Sequence, residues 1–529
     1  MTENINAALD RAARLFGKNE AVVDGDVRWT YDELDRRVRA FDGELDRLGL
    51  MKGDVVGVLA LNSAAHLIAW LGAPRSGRVL NEINTRLSTP EIRYILDDSA
   101  ARMLLVDDAF LEAGRELLRD CDTLDHLVYA GAGQSPADCV SLEVMTTSGS
   151  EASPVEVLDE DVAGIFYTGG TTGRPKGVLL SHGNLASNAK HALLCLGYDE
   201  HDRYLHAGPM FHLADGASTV ALTWVGGAHV IVPGFTPDGW LRAVSEEKIT
   251  KAMLVPTMIT MLMAHEFGPD TDLSSLRSVL YGASPMPQAL LATAAERLNT
   301  DFCQVYGMTE AAPIVTFMTH EDHRRGLAGE DPDAAVRLRS AGRPVVGVEL
   351  EIRAPGGGAR QPAGEVGEIV VRGPNITSGY LNRPEETAEV LPGDGWYHTG
   401  DMGYQDEAGY VFVVDRLKDM IISGGENVYS TEVENALYRH GDVEEVAVFG
   451  LPDEQWGEAV HAAVRLRPGS TTTAEMLRDH VRCLLAGFKV PREIHLVDQP
   501  LPKSGAGKIL KRDLRAEFAS RASVEVGAG

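Results

Sequence analysis

Short apolar runs alternate with helical stretches over roughly the first 130 residues, and this alternation most restricts what the chain can fold into. Val55 to Leu61 reads as a buried strand, Ser63 to Ala73 as a helix stopped by Pro74, and Met103 to Asp107 as the next strand. Parallel neighbours need a crossover between them, so the pattern predicts a parallel sheet with helices on its faces. Residues 131–154 are small, polar and turn-rich and read as a loop or subdomain boundary. The alternation resumes at His229 to Val232, Ala252 to Val255 and Ser278 to Tyr281, which predicts a second layered α/β unit. From about Gly342 to Val414 the texture turns to short β-rich runs, Val348 to Arg353 and Glu368 to Arg372, cut by APGGGARQPAGEVG. The residues after Asp415 mix strands (Val443 to Phe449, Ala459 to Leu466) with helices, as a small α+β domain does. There Thr431-Glu-Val-Glu434 has the form of a capping box, with Thr431 at the helix N-terminus and Glu434 reaching back.

Composition narrows the function classes. At 529 residues the chain is too long for one core, and 44% hydrophobic with 24% charged residues is ordinary globular usage. A formal charge of -28 argues against nucleic acid or an anionic membrane as partner, since both select a basic face. The first residues, MTENINAALDRAARLFG, lack a secretory signal, and the apolar runs fall short of the roughly 18 residues of a membrane span. A cytoplasmic protein without a membrane span is expected. The five cysteines are scattered without a CxxC pair and read as reduced thiols. His320 and His323 lack the further ligands of a zinc site. A homodimer is the expectation from general frequency alone.

In so acidic a chain, the stretch YTGGTTGRPKG (Tyr167 to Gly177) stands out. Apolar runs on both sides, Val162 to Phe166 and Val178 to Leu180, make it a loop between two strands, with Asn184 able to cap the helix that follows. Glycines let successive amides converge on an anion, threonines add donors, and Lys176 adds a mobile point charge. The stretch reads as a polyphosphate cradle, though not a Walker A loop, because glycine rather than serine or threonine follows Lys176. YGASPMP (Tyr281 to Pro287) and YGMTE (Tyr306 to Glu310) each follow a strand, where open α/β sheets place ligands. Glu310 there suits Mg²⁺ against phosphates. GWYHTGDMG (Gly395 to Gly403) presents Asp401 in a tight turn able to accept paired hydroxyls. Arg416 and Lys418 fall at the expected domain boundary, and PKSGAGKILKRDLR (Pro502 to Arg515) carries Lys508 on a glycine-rich loop.

The order and wording of these motifs resemble the adenylate-forming superfamily, which includes acyl-CoA synthetases, firefly luciferase and the adenylation domains of nonribosomal peptide synthetases. The resemblance spans essentially the whole chain and is nearest in pattern to fatty or aryl acyl-CoA ligases. It implies an α/β fold: a large N-terminal domain (1–415) of two stacked α/β subdomains plus a β-barrel, and a small mobile α+β C-terminal domain (416–529) hinged near Lys418. It implies ATP-dependent joining of a carboxylic acid to CoA through an acyl-AMP intermediate, with ATP, Mg²⁺ and CoA as cofactor and co-substrates. The rival reading is an amide synthetase or carrier-protein loading enzyme using the same adenylate.

By position, Thr168, Gly169, Gly170, Thr171, Thr172, Gly173 and Lys176 resemble the loop over the β- and γ-phosphates. Thr309 and Glu310 resemble the α-phosphate and Mg²⁺ contacts, Gly282, Ala283, Ser284 and Tyr306 the adenine site, and Asp401 and Arg416 the ribose-binding pair. Lys508 resembles the lysine that bridges carboxylate and α-phosphate. Lys418 resembles the hinge about which Lys508 would give way to the face bearing Gly425 and Glu426. His212, in PMFHLAD, resembles the position beside the acyl pocket, whose wall would include Tyr281, Gly307, Met308, Ile314 and Val315. Gly169 departs from the family, which often has serine there.

Overall fold

The computed structural model describes residues 4–526 apart from 169–173, 285, 357, 424–425, 454 and 504–508, with side chains described up to 520. The expected roles of Gly169, Gly170, Thr171, Thr172, Gly173, Gly425 and Lys508 therefore lie outside the described residues. The chain folds as two compact units: Met1–Glu349 with Val371–Tyr397, and Leu350–Val370 with His398–Gly529. The β-rich stretch is thus shared between them, most of it grouped with the C-terminal residues.

The first unit holds two large sheets. In one, seven strands run in the order Val140–Ser141, His126–Tyr129, Ala101–Val106, Val55–Leu59, Val79–Glu82, Val162–Thr168, Lys176–Ser181. All neighbours are parallel except the last pair, a hairpin in which Thr168 faces Lys176. The parallel strand Val55–Leu59 is buried at every position, as continuous apolar runs between helical layers require. The second sheet has nine strands, with Arg203–His206, Lys251–Leu254, Ser278–Gly282 and Asp301–Gly307 parallel near its middle. Its core centres on Trp240, Tyr281 and Phe302.

Local rules hold in most places and shift in a few. Pro74 does not simply stop its helix; Ala64–Gly72 runs on into a 3-10 turn, Ala73–Ser76, because the proline ring suits a first turn that needs no amide donor. The expected loop 131–154 contains a short strand and the helix Leu142–Thr147, capped by Ser141. The helix His182–Leu196 is capped by Ser181, and Asn184 is the reciprocal partner three residues on.

Strands Glu349–Arg353, Gly367–Arg372, Tyr397–Gln405 and Val411–Arg416, most of whose residues lie in the second unit, form a four-stranded sheet in that order. A five-stranded sheet follows, built on the long antiparallel pair Val443–Asp453 and Gly457–Leu466. The expected capping box fails here. The helix Ser430–Tyr438 has Tyr429 at its N-cap with no side-chain cap. Thr431 donates instead to the carbonyl of Val414, and Glu434 accepts from the Val448 amide at 2.8 Å and pairs with Lys511 at 2.8 Å. Buried partners outbid the local cap because an unpaired Lys511 ammonium in that site would be costly.

Candidate active site

The strands Val162–Thr168 and Lys176–Ser181, which flank the glycine-rich stretch in the sequence, pair antiparallel. The segment 374–381 is laced along the outer strand of this pair. The Leu179 amide bonds to Gly379 O at 3.0 Å, the Leu381 amide to Gly177 O at 2.8 Å, and Thr377 Oγ1 donates to Leu179 O at 2.6 Å. This lacing places the Tyr380 ring under Lys176, whose Nζ lies 5.1 Å from the ring centroid.

The hydroxyl of Tyr380 donates to Glu310 Oε1 at 3.0 Å. Tyr380 therefore stands between the cation of the hairpin and the carboxylate of the YGMTE segment. Burial first, and then the nearby Glu310 carboxylate, push the Tyr380 phenol well above its ordinary value, so it stays a donor. The backbone of Glu310 is held as well, its carbonyl accepting from the Thr377 amide at 2.8 Å. Thr309–Ala311 form a 3-10 turn closed by Ala312. Asn375 Nδ2 spans the carbonyls of Ala311 and Ile314 at 2.7 and 2.9 Å, and Asn188 accepts from the Ile314 amide at 3.0 Å.

The backbone around this turn is tight. A Cβ on Gly307 would lie 1.8 Å from Pro313 O, so only glycine fits there. Gly282 ends its strand and is followed by Ala283 in the left-handed region at φ +67°. A non-glycine residue in that conformation needs support from its surroundings, and such positions gather at ligand sites. Tyr306 and Ser284 lie at the same strand ends, Tyr306 in Asp301–Gly307 and Ser284 just past Ser278–Gly282.

His212 is the N-cap residue of the helix Leu213–Val225, and its ring lies 4.5 Å from that of Phe211, centroid to centroid. Of the expected pocket wall, Ile314 and Val315 are buried. Tyr281 turns into the core, donating its hydroxyl towards Gln304 at 3.3 Å and bonding to His323 Nε2 at 2.9 Å. His320 bonds to Ser278 at 2.7 Å. His320 and His323 are thus engaged in hydrogen bonds to Ser278 and Tyr281.

In the second unit Asp401 and Arg416 are cross-strand partners, with Nε to Oδ1 at 3.4 Å. The turn before Asp401 relies on Thr399, which accepts from the Asp401 amide at 3.0 Å and donates to Ile369 O at 2.7 Å. Asp401 is buried, whereas Arg416 is exposed.

Lys418 lies two residues beyond Arg416, and Arg515 bonds to its neighbour Asp419 at 3.0 Å. Desolvation by surrounding protein, then the like charge of Arg416, bring the Lys418 ammonium down to about 8. The side chain is exposed, so water screens part of this effect. The amine is protonated below that value and increasingly neutral above it. Limiting acetic anhydride at pH 8, mapped by mass spectrometry, is expected to modify Lys418 ahead of exposed lysines such as Lys18; equal labelling would contradict the shift.

Tyr380, Thr377, Asn375 and Asn188 escaped the sequence reading. The only signal was the polar run NITSGY (Asn375 to Tyr380) between two strands, which has no local periodicity to assign it to a site some 70 residues earlier.

A sequence model described as AMP-binding enzyme matches residues 9–381, and one described as AMP-binding enzyme C-terminal domain matches residues 432–508. A feruloyl-CoA synthase of Amycolatopsis sp is 40% identical over 515 residues, covering 96% of this chain and 98% of its own. A 2-succinylbenzoate–CoA ligase of Geobacillus kaustophilus is 36% identical over 516 residues, 96% of each chain. Among solved structures, ATP-bound MatB of Rhodopseudomonas palustris superposes with a TM-score of 0.86 at 28% identity, covering 98% of this chain and 99% of that one. The amide bond synthetase McbA of Marinactinospora thermotolerans superposes with a TM-score of 0.85 at 30% identity, covering 97% of this chain and 100% of that one.

Proposed function

The chain belongs to the AMP-binding enzyme family, the adenylate-forming enzymes, and on that premise we propose how its residues divide the reaction between them. The protein is an AMP-forming acid–thiol ligase: a carboxylic acid and ATP give acyl-AMP and pyrophosphate, and CoA then displaces AMP to give the acyl-CoA thioester. Adenylation supplies the leaving group that a free carboxylate lacks.

The hairpin tip with Thr168 and Lys176 holds the β- and γ-phosphates, and Lys176 is steered by the Tyr380 ring beneath it. Glu310, held by Tyr380, is a hard oxygen ligand of the kind Mg²⁺ takes; when bound, that ion would offset phosphate charge. Asp401 accepts the ribose hydroxyls, and its partner Arg416 orients the carboxylate. Gly282, Ala283, Ser284 and Tyr306 border the adenine. Lys508 neutralises the repulsion between carboxylate and α-phosphate as they approach. His212 orients the acid. With Tyr281 turned into the core, the remaining named wall residues His212, Gly307, Met308, Ile314 and Val315 include no lysine or arginine, which favours an aliphatic or aromatic monocarboxylate over a dicarboxylate.

The observation that carries this reading is the Lys176–Tyr380–Glu310 arrangement, which sets a phosphate-binding cation and a metal-binding carboxylate against one ring. Incubating the protein with ATP, Mg²⁺, CoA and a panel of acetate, decanoate, benzoate, ferulate and malonate tests it by mass spectrometry. AMP, pyrophosphate and an acyl-CoA from one of the monocarboxylates are expected. Turnover of malonate alone would refute the monocarboxylate assignment. Acyl-AMP that yields to amines but not to CoA would point to amide synthesis, and ADP as the nucleotide product would refute adenylation.

A further inference from the structure

The segment His206-Ala-Gly-Pro-Met-Phe-His212 joins the end of a central strand to the start of the helix Leu213–Val225. Two buried groups hold it: Asn62, far away in the sequence, and Asp215, the last residue of PMFHLAD. Asn62, 5% exposed, uses both ends of its amide: Nδ2 donates to Gly208 O at 2.6 Å and Oδ1 accepts from the Met210 amide at 2.9 Å. Asp215, 1% exposed in the first helical turn, accepts from Tyr204 OH at 3.0 Å and from His206 Nδ1 at 2.7 Å.

Behind Asp215 the bonding continues. His206 Nε2 meets His229 Nδ1 at 3.0 Å, and His229 Nε2 meets Thr223 Oγ1 at 3.0 Å. Burial holds His229 well below the ordinary imidazole value, hence neutral. One assignment of protons then satisfies every group: Thr223 donates to His229, His229 to His206, and His206 to the Asp215 carboxylate. A carboxylate fixed by two donors in the core is a rigid post.

From that post the geometry returns to His212. Its carbonyl accepts from the amides of Asp215 and Gly216 at 3.1 and 2.9 Å, and its amide donates to Pro209 O at 3.0 Å. The helix and segment also pack too closely for a side chain, since a Cβ on Gly216 would sit 2.7 Å from Met210 O.

We propose that Asn62 and Asp215 are positioning residues for acid binding: Asn62 holds the segment 207–212 at Gly208 and Met210, Asp215 ties the strand end before it to the helix after it, and together they fix where His212, with Phe211 beside it, meets the carboxylic acid. This rests on the placement of the acid beside His212. Neither residue need touch the acid. A displacement of about 1 Å in a positioning group costs up to ~10²-fold, which sets the scale of the effect.

The test compares Asn62→Ala, Asp215→Asn, His212→Ala and the Asn62→Ala/His212→Ala pair, using ferulate or decanoate, whichever the panel selects, as the acid. Asn62→Ala and Asp215→Asn are expected to raise KM for the acid about tenfold or more while KM for ATP stays within about twofold. In the His212→Ala background, Asn62→Ala is expected to add less than about twofold, because both act through one group. Hydrogen exchange of the 207–212 amides is expected to quicken in Asn62→Ala while the nine-stranded sheet keeps its protection, a readout that needs no turnover.

Equal rises in both KM values, or additive losses in the double variant, would reduce Asn62 to general stability and overturn the proposal. An unchanged acid KM in Asn62→Ala would overturn it also. If His212→Ala alone leaves the acid KM unchanged, the placement of the acid beside His212 is what fails, and the proposal falls with it.

Discussion

Lys508→Ala is expected to slow acyl-adenylate formation by at least ~10²-fold, by the scale found when one preorganised donor is removed from a developing anion. The carboxylate and the α-phosphate are both anionic, and their approach concentrates charge that a placed ammonium offsets without the free-energy cost of reorganisation that water would incur. The loss should be confined to the first half-reaction. Thioester formation from preformed acyl-adenylate and CoA should stay within about threefold of the parent, because that step expels AMP and needs no cation at the carboxylate. Pyrophosphate exchange into ATP measures the first step, and acyl-CoA release from synthetic acyl-adenylate measures the second. A comparable loss in both would show that Lys508 serves binding or folding rather than adenylation.

The largest expected effect on stability comes from Arg78→Met. Arg78 is 1% exposed and forks across two carboxylates and a carbonyl: Asp42 at 2.8 Å, Asp46, and Leu50 O at 2.7 Å. Asp42 is itself buried and also accepts from Ser76 at 2.8 Å. Removing the guanidinium leaves that carboxylate buried with one neutral donor, which costs about 3–5 kcal/mol.

The pH dependence follows from the same pair. Burial already raises the Asp42 carboxyl above its ordinary value, and Ser76 and Arg78 oppose that rise. Without Arg78 it rises further, so ionised Asp42 disfavours the folded state at neutral pH and the penalty fades as pH falls through the raised value. Urea unfolding of the first unit should show the full loss at pH 7 and a smaller one at pH 5.5. A loss below about 1 kcal/mol at pH 7 would mean that water or rearrangement replaces the guanidinium.

Much of the molecule was readable before any coordinates. Buried apolar runs located Val55–Leu59, Ala101–Val106, Val162–Thr168 and Lys176–Ser181 in one large sheet and Ala228–Ile231, Lys251–Leu254 and Ser278–Gly282 in the other, because burial on both faces leaves a continuous apolar signature. The glycine-rich stretch was recognisable as a loop between paired strands, and Thr168 does face Lys176 across that hairpin. Asp401 and Arg416 could be named separately from their motifs, but their adjacency depends on the register of two strands, which neither motif states.

Where local rules failed, a distant partner outweighed a near one. Thr431 and Glu434 satisfy a capping pattern in the sequence, yet Val414, Val448 and Lys511 take their side chains. The sequence by itself determined the family and the two-step chemistry, since residue type at the motif positions suffices for these. Only the tertiary structure decided that Tyr380 joins Lys176 to Glu310, and that Asn62 and Asp215 hold the segment before His212. These contacts depend on which polar groups are buried together, and a buried donor or acceptor must bond to whatever the fold brings beside it, however far away it lies in the chain.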